Sequence, residues 1–162
     1  MRATIIGLLM SGLLAACASA PEPTGPAAGP APAPTPGKDW FFHADDGGAM
    51  LAYGVEASDD LSLRFDCTPG SGRTQLLQPA QTPAPEILIE SGGDTERWTA
   101  RAEPSALDDG VSLIAEAEVS HPVFQRFRRL GWLTIFDDGD RKTLVAHPGS
   151  TDRIDRYFKA CE

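Results

Sequence analysis

Three histidines and several carboxylates are the side chains of this sequence that could carry out acid–base or metal chemistry. Only His43 has an acidic residue within two positions, at Asp45, and Asp46 follows directly, whereas His121 and His147 have none that close. A closed zinc site needs about four ligands and calcium needs six or more oxygens. The segment around His43 also lacks the regular ligand spacing of an EF-hand loop. We therefore predict no metal site and no cofactor.

The remaining carboxylates of interest are adjacent aspartates in segments with the composition of turns. The four pairs are Asp45/Asp46, Asp59/Asp60, Asp108/Asp109 and Asp137/Asp138. Adjacent carboxylates in turns are usually solvated and help the backbone to bend. The chain also lacks the G-x-S-x-G motif of a nucleophile elbow and the glycine-rich signatures that bind phosphates. We predict no catalytic residues, with a hydrolase that uses an unrecognised Asp/His site as an alternative.

One basic cluster interrupts a chain with a net charge of -9. Arg126, Arg128 and Arg129 fall in one helical segment, with Arg126 and Arg129 one turn apart on its predicted solvent side and Arg128 nearer its flank. Such a cluster could bind a carboxylate or phosphate of a partner. The alternative is a solvated helix face that is paired with the chain's excess of Asp and Glu. The first interpretation makes the cluster a possible contact surface.

The N-terminal segment has the order of an export signal. Arg2 precedes an apolar run over Ile5–Leu14, which is too short to span a bilayer, and Leu14-Ala15-Ala16-Cys17 follows. This string resembles the lipobox of bacterial lipoproteins. The resemblance implies that residues 1–16 are a signal peptide, that signal peptidase II cleaves before Cys17, and that Cys17 carries acyl chains in a membrane. Because Ala18 rather than Asp follows the cysteine, the resemblance also implies the outer membrane, with the domain facing the periplasm or the cell surface.

Residues 17–38 form the lipidated cysteine and a linker. From Ala18 to Gly37, 16 of 20 residues are Pro, Ala or Gly. Alternating prolines remove backbone donors and favour extended polyproline II geometry, so we interpret the segment as a spacer. Loss of the signal peptide also removes Arg2 and takes the net charge from -9 to -10. Such an acidic protein is not expected to bind nucleic acid.

Cys67 and Cys161 remain once Cys17 is assigned to the lipid. An exported protein enters an oxidising compartment, and two cysteines without a C-x-x-C motif favour one structural disulfide. Cys67 ends the apolar alternation of Leu61–Cys67, and Cys161 lies on the apolar stripe of the last predicted helix. Both sulfurs are therefore expected to point into the same core.

Short apolar segments separated by turns fill most of residues 39–162, which we interpret as a single domain. The predicted strands are Trp40–His43, Ala49–Val55, Leu61–Cys67, Arg73–Gln78, Glu86–Glu90, Glu96–Ala102, Val111–Val119, Trp132–Phe136 and Thr143–Ala146. The Gly and Asp residues between them tolerate the positive φ angles of tight hairpins. This spacing predicts a mainly β fold, either a small antiparallel sandwich or a partly closed barrel.

Two short helices are predicted in the same domain. The first covers about Pro122–Leu130, with Ser120 as its cap and Gly131 as its stop. The second covers about Asp152–Ala160, is capped by Thr151, and is pinned by the predicted disulfide. It contains two favourable i,i+4 pairs, Asp152/Arg156 and Asp155/Lys159.

These features together favour a non-catalytic envelope lipoprotein rather than an enzyme. The expected role is a binding or structural module for a periplasmic protein or a glycan such as peptidoglycan, anchored through Cys17. The order of anchor, spacer and disulfide-linked β domain supports this role. A periplasmic inhibitor of a lytic enzyme has the same plan and is an alternative, as is the hydrolase named above.

Overall fold

The computed structural model describes residues 31–105 and 109–162 of the chain. The predicted signal peptide and Cys17 lie outside these residues. The strands are β1 (Asp39–Asp45), β2 (Gly48–Gly54), β3 (Leu61–Cys67), β4 (Arg73–Ala80), β5 (Glu86–Ser91), β6 (Asp94–Thr99), β7 (Arg101–Pro104), β8 (Val111–Glu118), β9 (Trp132–Asp137) and β10 (Asp140–Val145). The helices are α1 (Pro122–Leu130) and α2 (Thr151–Cys161).

The strands form two open antiparallel sheets. One has six strands in the order β1-β2-β3-β4-β8-β7, and the other has four in the order β10-β9-β5-β6. They pack on each other where β8 contacts β5 and β6. The mainly β fold with two helices is therefore confirmed, and neither sheet closes into a barrel.

The inner side of the six-stranded sheet follows from alternation with a period of two residues. In β4, Thr74, Leu76, Gln78 and Ala80 are buried, whereas the residues between them are half-buried. Successive side chains of a strand point to opposite sides, so one side of β4 joins the core and the other does not. The same alternation in β3 buries Leu63 and Phe65 on the inner side.

Both helices supply aromatic rings to this inner side. Phe65 of β3 contacts Phe124 of α1, with ring centroids 5.7 Å apart, and Tyr157 of α2, with centroids 6.0 Å apart. Phe127 and Phe158 complete the cluster, and all these side chains are fully buried. Each aromatic pair contributes about 0.5 to 1.5 kcal/mol beyond the area it buries.

The predicted strand Glu96–Ala102 is two strands in the structure. β6 ends at Thr99 in the four-stranded sheet, and β7 begins at Arg101 in the six-stranded sheet. Ala100 lies between them and donates its N–H to the carbonyl of Pro85 at 2.8 Å. The prediction of one strand was wrong because the backbone stays extended while it changes sheets, and residue types do not record which partner a strand pairs with.

The first helix has the predicted bounds but a different cap. His121, not Ser120, is the N-cap of α1, and its Nδ1 accepts the N–H of Val123 at 3.5 Å. At the other end Gly131 has φ 74, as its predicted role as the stop requires. A Cβ at this position would lie 2.9 Å from Cγ2 of Thr151, so glycine also allows the close approach of α2.

The second helix begins with Ser150 rather than Thr151 at its N-cap, and Ser150 makes no side-chain capping bond. Its hydroxyl donates instead to the Asp39 carboxylate, which also accepts the His147 N–H at 3.2 Å and an Arg153 N–H at 3.4 Å. A carboxylate beside a helix N-terminus is stabilised by the helix dipole. Asp39 therefore ties the start of β1 to the start of α2.

The predicted disulfide is confirmed. Cys67 at the end of β3 is bonded to Cys161, the last residue of α2, with their Cα atoms 5.9 Å apart. The turn after Cys67 also binds the helix end, since the N–H groups of Gly70 and Gly72 donate to the carbonyls of Ala160 and Cys161 at 2.9 and 2.8 Å. The last carbonyls of a helix have no partner within it, so this turn supplies the missing donors.

The last residues of the predicted linker contact the domain. His147 Nε2 lies 3.1 Å from the carbonyl oxygen of Thr35, and Lys38 Nζ donates to Asp60 at 2.7 Å. The chain therefore enters β1 from a fixed position beside the start of α2.

We expect Cys161→Ser to lower the free energy of unfolding by about 4 to 5 kcal/mol, because the bond closes a long loop in the unfolded chain. Cys67→Ser should cause the same loss, and the double variant should lose no more, since each change removes the same bond. Urea denaturation of the three variants measures this. Additive losses in the double variant would contradict the prediction.

Candidate functional site

The side of the six-stranded sheet opposite to the aromatic core is a continuous candidate surface. We call it the outer face. Strand register places one row of side chains across all six strands: Phe41, Ala52, Arg64, Leu77, Ile114 and Arg101. A second row crosses five strands: His43, Met50, Asp66, Gln75 and Glu116. At about 4.8 Å between strands, the first row is about 24 Å long.

The outer face contains apolar side chains that the main core does not use. Met50, Ala52 and Leu77 are half-buried on it. Ile114 is only 7% exposed, yet it lies outside the main hydrophobic cluster of the domain. An apolar group that packs on an exposed sheet surface is partly shielded by its cross-strand neighbours. The outer face thus combines apolar side chains with polar ones in adjacent rows.

Arg64 lies at the centre of this surface. It donates from Nε and Nη2 to the carboxylate of Asp66 at 2.7 to 2.9 Å, a bidentate pair between residues on the same side of β3. Three open depressions, with volumes of about 620, 640 and 510 Å³, all include Arg64 in their walls. Arg64 is therefore the one residue common to the walls of all three.

His43 and Asp45 lie at one end of the outer face, in the β1–β2 hairpin. Their side chains are 3.6 Å apart between Nε2 and Oδ2. Oδ1 of Asp45 accepts the N–H groups of Gly47 and Gly48, and these two bonds hold the pKa of Asp45 below its usual range. Asp45 thus stabilises the hairpin turn, while Asp46 is exposed beside it. Across residues 31–105 and 109–162, no group of three or more His, Cys, Asp and Glu side chains is placed to hold a metal ion.

The connections between strands contain Asp59, Asp60, Asp109 and Asp138. Asp60 pairs with Lys38, and Asp138 accepts the hydroxyl of Thr82 at 2.8 Å. Asp137, at the end of β9, pairs with Lys142. Asp108 lies outside the described residues. The hydrolase alternative named Asp and His residues without a geometry, and it stays a prediction.

The three arginines of the α1 cluster differ in their contacts and their exposure. Arg126 donates from Nε to the carbonyl of Ser91 at 2.7 Å and pairs with Asp94 at 3.1 Å, and its side chain is 19% exposed. The expected solvent position of Arg126 was therefore wrong, because the turn between β5 and β6 covers it.

Arg128 is covered as well, with 16% of its side chain exposed. It pairs with Asp155 at 2.9 Å and with Glu162, and it lies over the ring of Phe158. Hydrogen bonds from Lys159 and Arg128 lower the pKa of Asp155. Arg129 is exposed and makes no ion pair within the described part of the chain. The contact-surface role of the cluster stays a prediction, and two of its three charges already have acidic partners.

The outer face was missed by sequence reasoning. The sequence feature that indicated it is the pair Leu77 in β4 and Ile114 in β8. These apolar residues lie on the side of each strand opposite to the residues that face the core. A strand that buries only one side should be polar on the other. Apolar residues on both sides of two neighbouring strands could therefore have indicated a second packing surface.

No family model, no curated protein and no solved structure matches this chain at a significant level. Neither helix of the described residues is long and apolar enough to cross a membrane.

We expect Arg128→Gln to lower the free energy of unfolding by about 1 kcal/mol, because it removes two ion pairs and the packing over Phe158. Arg129→Gln is the matched control, since the same change one residue away should stay within about 0.5 kcal/mol. Urea denaturation at low salt measures both. Equal effects of the two changes would contradict the structural role assigned to Arg128.

Proposed function

We propose that this chain is a non-catalytic lipoprotein of the bacterial cell envelope, held in the outer membrane by Cys17, whose outer face binds a protein partner. The observation that carries the proposal is the outer face itself. It is a broad β surface with apolar side chains and a central arginine, and the aromatic rings of both helices pack on the other side of the sheet.

The chemistry of the outer face fits a protein better than a glycan. Met50 and Leu77 provide apolar contact area beside Arg64, and Phe41 borders them with the Arg153 guanidinium of α2 5.5 Å from its ring centroid. Aromatic residues, Met and Arg are enriched at protein–protein interfaces. The depressions on this face are open rather than deep, which suits a partner with a matching extended surface. We therefore commit to a protein partner, with peptidoglycan as an outcome that the test can detect.

The anchor and the linker support the same function. A lipidated Cys17 with more than one acyl chain gives stable attachment. The part of the proline-rich segment before Thr35, which contacts the domain, can extend by roughly 50 Å. Such a spacer lets the domain reach a partner away from the membrane surface.

We expect Cys17→Ala to abolish incorporation of labelled palmitate and to release the protein from the membrane fraction. The lipobox chemistry requires the cysteine thiol, so no other residue can take its place. Membrane fractionation and lipid labelling of the full chain measure this. Membrane retention without lipid label would contradict the proposed anchor.

We expect a photo-crosslinking residue at Leu77 to capture one defined envelope protein in intact cells. Leu77 lies in the central row of the outer face, beside Arg64. Leu130 is the matched control, because it is an exposed leucine at the end of α1 and away from this sheet. Mass spectrometry of the crosslinked products identifies the partner.

The crosslinks can be checked with one substitution. Leu77→Asp should abolish co-purification of the same partner, because it places a charge among the apolar contacts, whereas Leu130→Asp should leave co-purification unchanged. Thermal unfolding of both variants controls for loss of fold. Equal crosslinking at both positions would contradict the proposed surface. Sedimentation with peptidoglycan that depends on Leu77 would replace the protein partner by the glycan.

A further inference from the structure

β1 forms one edge of the six-stranded sheet, and its backbone shows which groups point outward from that edge. The N–H of Trp40 bonds to the Asp39 carboxylate at 2.8 Å, and its carbonyl accepts an N–H of Arg153 at 2.8 Å. The backbone groups of Trp40 therefore point away from β2. Pairs in an antiparallel ladder alternate between hydrogen-bonded and non-hydrogen-bonded ones, and the register of β1 with β2 is unbroken. The backbone groups of Phe42 and Ala44 consequently point away from β2 as well.

These four backbone groups of β1 are open to a further strand. Within the described residues, neither Phe42 nor Ala44 makes a backbone hydrogen bond on the outward side. The helix α2 begins beside Asp39 at the edge of the sheet but ends at Cys67 of β3, two strands further in. It therefore moves away from the edge as it passes the second half of β1, where Ala44 is exposed. Unpaired N–H and C=O groups on such an edge are a template for strand addition.

The other edges of the two sheets have features that discourage strand addition. β7 has only four residues and ends with Pro104, which has no N–H. β10 begins with three charged residues at positions 140–142, and β6 contains Asp94, Glu96 and Arg97. β1 has seven residues and contains no Pro, Lys or Arg. Since charge, proline and short length are the usual protections of an edge, β1 is the edge best suited to pair with another strand.

The charges along β1 favour a second copy of this chain as the added strand. Towards the start of β1, the guanidinium groups of Arg153 and Arg156 lie 5.5 and 4.8 Å from the ring centroids of Phe41 and Phe42. Their own ion pairs are long, at 3.4 and 3.8 Å. The other end of β1 leads into a hairpin with two adjacent aspartates. Antiparallel pairing brings the acidic end of one copy to the arginines of the other, whereas parallel pairing brings like charges together.

We propose that two copies of this chain associate through antiparallel pairing of their β1 strands, with the two His43 residues opposite each other on the twofold axis. In this register Phe42 of each copy lies opposite Ala44 of the other. All four free backbone groups of each strand then have partners, and the small Ala44 side chain leaves room for the Phe42 ring.

The pairing joins the two six-stranded sheets into one continuous sheet. Each copy uses its β1 edge once around a twofold axis, so association ends at the dimer. The inference depends on this edge alone, and it is independent of the partner proposed for the outer face.

Disulfide trapping tests the register. Residues of a non-hydrogen-bonded antiparallel pair have Cα atoms about 4.5 Å apart, which is within the range that a disulfide spans. We expect His43→Cys to form a disulfide-linked dimer under mild oxidation, in the full chain carrying Cys17→Ala so that no other thiol is free. Glu116→Cys is the matched control, because Glu116 is exposed in the same row of the outer face but lies on β8, and it should stay monomeric.

Electrophoresis without reductant measures the dimer in both variants. The absence of a dimer in His43→Cys, or equal dimer formation by the two variants, would overturn the proposal.

A proline on the edge tests the backbone hydrogen bonds. Ala44→Pro removes a donor of the interface without removing a bond within one copy, so it should lower the yield of the His43→Cys dimer about tenfold or more. The N–H of Ser105 bonds back to Gly110, so alternation directs the N–H of Ala102 in β7 away from β8. Ala102→Pro is therefore the matched control on another edge, and it should leave the yield unchanged.

Thermal unfolding of both proline variants checks that they are folded, and the trapping of His43→Cys does not depend on either of them. A dimer yield in Ala44→Pro equal to that in Ala102→Pro would refute the proposed interface.

Discussion

Phe65 is buried where the six-stranded sheet meets both helices, and the arrangement of the domain depends on its contacts. Its ring touches rings of α1 and of α2, which come from segments far apart in the chain. Two residues further along β3, Cys67 is covalently joined to the end of α2. The turn that follows donates N–H groups to the last carbonyls of that helix. One short stretch of β3 thus positions α2 by packing, by a covalent bond and by hydrogen bonds.

This arrangement places both helices on one side of the six-stranded sheet. The inner side packs against Tyr157, Phe158 and the rings of α1, so the other side has cross-strand contacts and, at Phe41, the side chain of Arg153. The bidentate pair of Arg64 and Asp66 is one such contact. The surface proposed to bind a partner is therefore a direct result of where the disulfide and the aromatic cluster hold the helices. A sheet with a helix on each side would have no such surface.

The arginines of α1 illustrate the limits of sequence reasoning about a site. Their spacing along the helix was visible, but what covers each one depends on chain segments far away. Arg126 is covered by the turn between β5 and β6, and Arg128 by α2 and the C-terminal residue. Helical periodicity says which residues share a side of a helix and cannot say what packs there.

The sequence by itself determined the local structure. Alternation placed Leu61–Cys67 as a strand with its observed bounds, glycine at 131 ended α1, and two cysteines in the domain left one intramolecular pairing. Neighbouring residues determine the strand and the helix end, and the number of cysteines determines the pairing. The tertiary structure alone decided that the extended segment around Ala100 crosses from one sheet to the other, and that Leu77 and Ile114 form an outer face. Strand pairing is set by long-range packing and backbone hydrogen bonds, which many extended segments can satisfy equally well, so residue types do not specify the partner.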